Sequence, residues 1–442
     1  MRQFNRVIYG LINVHLKSAL HIGGSDEEHF SMAINGNGEY IIPGTSLAGV
    51  VKHYLCPDST VRSEKAALLG DIDGESSIYF YDAILHHADV EERMGVRIDH
   101  KTGAAEDGGL YTNYYLAAGA KAQIRIQMFA KDENEAELER TMFHEIVAAI
   151  AQGKIRFGAK TRSGAGLLSV DYAYERDLDL TKEEDLDVYL EGPEASFALL
   201  DEKKNGNQIS LKDMADEGGN LWVLRADIPE GLIVRSGEKS DIADAVNMSH
   251  RGDETNFYIP GTSLKGVMRS YTEKVVHTLG MQEKVLTDIF GAEPTDHNTK
   301  AASHILTQDI EIDHPKRTLY PRIRVDRVFG DTITGAKMCA EILSKPQKPL
   351  EIRVVVDQGL DERNKKIANA FAFLALRDLG LGLVRIGGGS SVGFGRLQGI
   401  DLSWNGNKAV FEKKRLNFGN AENDIKERDI KELLAALEGG LK

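Results

Sequence analysis

Apolar and polar residues alternate loosely over residues 7–15 and again over 221–228, the period-two signature of half-buried strands. After each strand comes a polar stretch, then a Pro-Gly turn, then an apolar stripe at helical spacing. Leu47, Val50, Val51 and Tyr54 fall at i, i+3, i+4 and i+7, and Leu264, Val267, Met268 and Tyr271 repeat that spacing. Tyr40-Ile-Ile-Pro reads as a strand end, Gly44 as a turn, and Thr45 or Ser46 as a helix N-cap. A second amphipathic helix is predicted over 138–151 and over 367–376. Each runs into a short strand (154–157 and 383–386) that ends in a glycine-rich loop. A last amphipathic helix falls within 425–441. Strand, helix, central strands, helix, strand, in duplicate, predicts an α+β protein of two ferredoxin-like or RNA-recognition-like modules.

The duplication is visible in the residues. Ile42-Pro-Gly-Thr-Ser-Leu-Ala-Gly-Val returns as Ile259-Pro-Gly-Thr-Ser-Leu-Lys-Gly-Val, 217 positions later. Leu69-Gly70 returns as Phe290-Gly291, at an offset of 221, the weakest of the matches. Val96-Arg-Ile-Asp-His-Lys-Thr-Gly103 matches Ile323-Arg-Val-Asp-Arg-Val-Phe-Gly330 at 227, and mixes charge and glycine as an exposed hairpin or loop would. Phe157-Gly-Ala-Lys-Thr-Arg-Ser-Gly-Ala-Gly166 matches Ile386-Gly-Gly-Gly-Ser-Ser-Val-Gly-Phe-Gly395 at 229. Four blocks in one order, with a slowly rising offset, mean two copies of one module with small insertions. The expected organisation is a first module at 1–175, an acidic join at 176–217, a second module at 218–420 and a helical tail at 421–442.

Composition then narrows the class. Of 442 residues, 42% are hydrophobic and 28% charged, ordinary for a globular protein. No apolar run approaches the ~18 residues of a membrane span, and the start has no signal-like apolar region. Two cysteines, Cys56 and Cys339, suit reduced thiols in a cytoplasmic protein and make neither a disulfide framework nor a zinc site. Lys and Arg number 54 against 68 Asp and Glu, a net charge of −14 that by itself argues against a nucleic-acid partner. However, residues 175–202 alone hold eleven acidic and two basic side chains. The solvated-linker reading of that segment outweighs an acidic binding tail.

Candidate chemistry sits in three places. The glycine-rich loops carry Lys160 and Arg162 in one copy and Ser390, Ser391 and Arg396 in the other. They lack the Gly-Lys-Ser/Thr of a nucleotide loop. They could cradle a nucleic-acid backbone, or their glycines could only allow tight packing. The Pro-Gly-Thr-Ser helix starts offer free N–H groups, with Ser46 and Lys52 in the first copy and Ser263, Lys265 and Arg269 in the second. Acid-rich segments precede the Pro-Gly turns, Ser25-Asp-Glu-Glu-His29 and Ser240-Asp-Ile-Ala-Asp-Ala245. A carboxylate there could position a divalent metal or a ribose hydroxyl.

In this order the blocks resemble the RAMP superfamily (repeat-associated mysterious proteins). More narrowly they resemble the backbone subunits of type III CRISPR effector complexes, in a fused arrangement similar to III-D-like variants. The resemblance implies RNA-recognition-like modules that grip a guide RNA, with complementary target RNA paired to it and other effector subunits as partners. It implies hairpins ("thumbs") at Arg97 and His100 and at Arg324 and Arg327, which intrude into the guide–target duplex. In catalytic members an acidic residue before the Pro-Gly turn supports metal-dependent cleavage of the target, with magnesium or manganese as the expected ion. Carried over, that residue is Asp244, sixteen positions before Pro260, with Asp241 as its competitor. In the first module it is Asp26 or Glu28, in a loop five residues shorter. The alternatives are a non-catalytic guide-RNA scaffold, or an endoribonuclease that processes the guide precursor and uses His21. A metabolic enzyme on the same scaffold lacks a recognisable cofactor site.

Overall fold

The computed structural model describes residues 3–23, 32–57, 63–70, 74–99, 102, 105–202, 206–210, 220–237, 240–249, 255–292, 302–357, 359–412 and 414–438. The chain divides into two compact units. One comprises residues 1–92, 113–161 and 165–216; the other comprises 93–112, 162–164 and 217–442.

In the first unit the strand Arg6–Leu16 is central, antiparallel to Lys121–Ala130 on one side and to Leu168–Asp179 on the other. Its alternation decides which residue faces which layer. Ile8, Ile12 and Val14 pack with helix α1 (Gly44–Leu55) and helix α3 (Glu133–Ala151), whose Phe143, Ile146 and Ile150 are buried. Helix α2 (Glu64–Leu68) closes that side through Leu68. Val7, Tyr9 and Leu11 face the opposite way, into a second cluster with Tyr174, Leu178, Phe197 and Leu200.

That second cluster corrects the expectation of an acidic linker over 176–217. The sheet strand runs on to Asp179, helices α4 (Glu183–Leu190) and α5 (Pro193–Asp201) follow, and Phe197 and Leu200 of α5 cover the sheet's far face. Asp177 and Asp179 lie on that strand, where Asp177 pairs with Arg6 and Arg140, while Glu183, Glu184 and Asp187 are exposed on α4. A charge count does not see that arrangement.

The second unit repeats the plan. The strand Asn220–Asp227 lies between Leu350–Val356 and Gln398–Trp404, and Trp222, Leu224 and Ala226 point into the core. Helices α6 (Gly261–Leu279), α7 (Lys284–Phe290) and α8 (Glu362–Gly380) pack there. The C-terminal helix α9 (Glu427–Glu438) is no loose tail. Ile430, Leu433 and Leu437 are buried in the same core, and Lys366 on α8 pairs with Glu432 at 2.6 Å. The two tryptophans, Trp222 and Trp404, stack at 4.9 Å and 3° in this unit.

Two elements differ from the sequence reading. Residues 154–157 and 383–386 are not strands; the third central strand follows the glycine-rich loop instead of preceding it. Buried Ile155, Phe157 and Ile386 gave the alternation. In each copy, however, the backbone makes one rung to the far end of the loop, Phe157 N to Gly166 O at 2.9 Å and Ile386 N to Gly395 O at 3.0 Å. The hairpins are present: Val90–Ile98 pairs with Ala105–Leu116, and Lys316–Arg322 with Met338–Ser344.

Candidate nucleic-acid interface and loop carboxylate

The helix starts are built alike in both copies, but not as the sequence suggests. Neither Thr45 nor Ser46 caps α1. The capping position is Pro43, and Pro260 for α6, with no side-chain cap bond from either. The first helical N–H instead meets a distant carboxylate: Gly44 N donates to Asp82 Oδ1 at 2.7 Å, and Gly261 N to Asp309 Oδ1 at 2.8 Å. A carboxylate there satisfies an orphan donor and suits the positive end of the helix dipole. Ser46 and Ser263 lie in the first turn, half-buried, with their N–H groups bonded to Pro43 O and Pro260 O.

The cations on these helices divide into two kinds. Lys52 donates to Gly70 O at 2.5 Å and Arg269 to Gly291 O at 3.3 Å, each tying its helix to the turn after the next short helix. These are structural ties, repeated at the Leu69/Phe290 match, which is thereby a true correspondence. Lys265 is different. It is half-buried, and its ammonium makes no hydrogen bond or ion pair among the described residues. Burial pushes its pKa down to about 8, with the guanidiniums of Arg162 and Arg269 adding to the shift. In the first copy Ala48 takes its place.

Arg162 belongs to the second unit, where it pairs with Asp357, and Asp357 also accepts from Gly359 N at 3.2 Å. Arg162 and Lys265 are therefore brought together with Arg269 into one basic cluster beside the α6 helix start. Lys160 bonds to Asn113 and sits at φ 57°, where its repeat partner Gly389 sits at 72°. Ser390 and Ser391 are exposed on the second loop, and Arg396 turns away to Glu230 at 3.1 Å.

The loop glycines answer the packing question at two positions. A Cβ on Gly166 would lie 1.8 Å from Phe157 O, and one on Gly395 2.1 Å from Ile386 O, both at positive φ. These glycines close the loop. Sequence reasoning missed Arg156 and Arg385, which brace the loops from within by donating to Thr161 O at 2.8 Å and Ser390 O at 2.5 Å. Each stands one residue before its matched block, so extending the alignment by one position finds them.

On the hairpins, Arg97 lies 3.8 Å from Glu106, while Arg324 and Arg327 are exposed. His100 lies outside the described residues. Asp99 and Asp326 organise the turns: Thr102 N donates to Asp99 at 3.1 Å, and Val328 N and Phe329 N to Asp326 at 2.7 and 3.0 Å. Those backbone bonds hold the Asp326 carboxyl below the usual range. The second tip leaves Val328 and Phe329 85% and 83% exposed.

Of the loop carboxylates, Asp26 and Glu28 lie outside the described residues. Asp241 is exposed in a bend, and Asp244 is exposed but fixed: its Oδ2 accepts from Cys339 N at 2.7 Å and its own N–H donates to Cys339 O at 2.8 Å. The carboxylate thus stands beside the loop end of the second hairpin's strand pair, with one oxygen committed. Among the described residues no group of three His, Cys, Asp or Glu side chains could hold a metal ion. The Asp244 donor set fits a magnesium-type ion only where waters and substrate phosphates complete the shell. His21 is engaged structurally, its Nδ1 2.7 Å from Tyr114 O and its ring edge-on to Tyr115.

Set beside known proteins, the two copies each match one family model, the RAMP superfamily, over residues 13–169 and 232–398. The chain belongs to the RAMP superfamily. The matched segments make up more than half of the sequence, one in each copy and both ending just after the glycine-rich loop, so this is a tandem RAMP protein. A search of curated proteins finds no match. No helix among the described residues is long and apolar enough to cross a membrane.

Proposed function

We propose that this RAMP protein is a guide-RNA-binding backbone subunit of a type III CRISPR effector complex that cleaves guide-paired target RNA with at least its second module. The observation that carries RNA binding is the basic cluster at the α6 start, where Lys265 is half-buried without an acidic partner beside Arg162 and Arg269. A cation left in that state is stabilised by an incoming phosphate. The exposed Val328 and Phe329 give the second hairpin an apolar tip on which bases can stack.

For cleavage, the target's own 2′-hydroxyl attacks the adjacent phosphorus and the 5′-oxygen leaves. The products are a 2′,3′-cyclic phosphate and a 5′-hydroxyl. Asp244, through its uncommitted oxygen, orients that hydroxyl or a bound divalent ion at the phosphate. Magnesium or manganese, when bound, supplies neutralisation of the charge that develops there. The chain's own part is to hold the carboxylate still and the RNA backbone against the cluster.

The test uses the guide-loaded complex. Asp244→Ala and Asp26→Ala are made singly and cleavage of a guide-matched RNA is mapped. D244A is expected to remove one set of products while RNA still co-purifies. Unchanged products in both variants overturn the catalytic assignment and leave an RNA scaffold; absence of co-purifying short RNA overturns the guide-binding role.

A further inference from the structure

The loop that carries Asp244 is held by a buried polar network. Residues 234–236 and 246–248 run antiparallel: Met248 N donates to Val234 O at 2.8 Å and Ser236 N to Val246 O at 3.0 Å. Asn247 sits inside this pair, 3% exposed. Its Oδ1 accepts from Val234 N at 2.8 Å, and its Nδ2 donates to the carbonyl of Glu341 at 2.9 Å and to the Glu341 carboxylate at 3.4 Å. Glu341 is itself 4% exposed and pairs with Arg317 Nε at 2.6 Å, and Arg317 lies over the Phe257 ring at 5.5 Å. Glu341 N donates to Ala245 O at 3.0 Å, next to the rung between Asp244 and Cys339. One buried amide thus joins the entry to the loop, the exit from it and the returning strand of the hairpin.

Among the described residues, the first copy places other residue types at the corresponding positions. Its bridges Leu20–Leu116 and Gly23–Met32 correspond to Leu232–Leu343 and Arg235–Asn247. Met32 therefore stands where Asn247 does, and Tyr114, two residues before Leu116, stands where Glu341 does. Met32 is buried in the apolar core, and Tyr114 uses its carbonyl to hold His21. An apolar pair would have closed the second copy's loop equally well, because buried polar groups are stabilising only when every partner is met. Directional bonds do what apolar contact does not. They fix the register of the loop against the hairpin strand, and with it the direction of the Asp244 carboxylate.

We propose that Asn247 and Glu341 are positioning residues for Asp244, locking its carboxylate onto the Cys339 amide so that its second oxygen is presented in a fixed direction beside the loop end of the hairpin's strand pair. The catalytic consequence rests on the reading of Asp244 as the cleaving carboxylate; the locking itself does not. Both are read in the guide-loaded complex with N247A, E341Q, D244N and the double variant N247A/D244N. N247A is expected to slow single-turnover target cleavage about tenfold or more, with target affinity unchanged. It should add nothing in the D244N background, since both changes then act through one group. Amide exchange at Cys339 should rise in N247A and E341Q as it does in D244N. The stacked Trp222–Trp404 pair reports by its fluorescence that the second unit stays folded. Unchanged exchange at Cys339 in both N247A and E341Q overturns the proposal whatever cleavage does. So does an N247A effect that multiplies with D244N. If D244N leaves cleavage intact while N247A raises exchange, the catalytic reading of Asp244 falls and the positioning stands.

Discussion

Lys265 is the residue on which the site's pH dependence turns. Its native pKa is pushed down to about 8, so in the free protein the ammonium loses its proton as pH rises through that value. A bound phosphate favours the charged form and restores the pKa toward its ordinary value of about 10.4. RNA affinity is therefore expected to be full below pH 8 and to fall as pH rises from there, with a proton taken up on binding. K265R should flatten that dependence, because a guanidinium stays charged throughout. K265Q should lose affinity at every pH and lower the salt slope of binding by about one contact, readable by filter binding at several ionic strengths. Lys160 makes a complementary case. A lysine at φ 57° costs about 1 kcal/mol that glycine, found at the repeat position 389, would not. K160G should leave the melting temperature equal or higher while weakening RNA binding, which separates a cation kept for a ligand from one kept for the fold.

At the scale of elements, the repeated device is a carboxylate far away in sequence that caps a helix behind a Pro-Gly turn. Asp82 and Asp309 lie on the segments that precede the central hairpins, 38 and 48 positions from the glycines they meet. D82A should destabilise its unit by about 1 kcal/mol, as loss of an N-cap does, and D309A by more, because Asp309 also pairs with Arg93 at 2.8 Å; denaturant titration measures both. The strand–loop–strand geometry around the glycine-rich loops was only half legible. The matched glycines and their order are in the sequence. That residues 154–157 and 383–386 make one backbone rung instead of a strand follows from where the loop ends return, which no local pattern states.

At the scale of the whole molecule, the acidic segment is what the sequence reading placed least well. Its charge suggested a solvated join, yet Phe197 and Leu200 on α5 seal one face of the first unit's sheet. F197A is expected to cost the first unit roughly 3–5 kcal/mol, the range for emptying a buried phenylalanine site. Loss of amide protection along Arg6–Leu16 in hydrogen exchange is the local readout. Removing surface charge from α4, as in Glu184→Gln, should change stability by no more than about 0.5 kcal/mol.

The sequence by itself determined the duplication, the α+β plan of each module, the hairpins and the matched loops, because these rest on periodicity and on blocks kept in one order. Periodicity is a local property, and a repeat compares the chain only with itself. The tertiary structure decided which cations are ties and which are free to meet a ligand: Lys52 and Arg269 end on carbonyls, while Lys265 ends beside two guanidiniums. It also decided that Asp244 is anchored on the Cys339 amide, next to the buried Asn247–Glu341 bond. Those distinctions depend on which backbone group lies at the end of a side chain, and that is fixed by packing between segments from 18 to 95 residues apart.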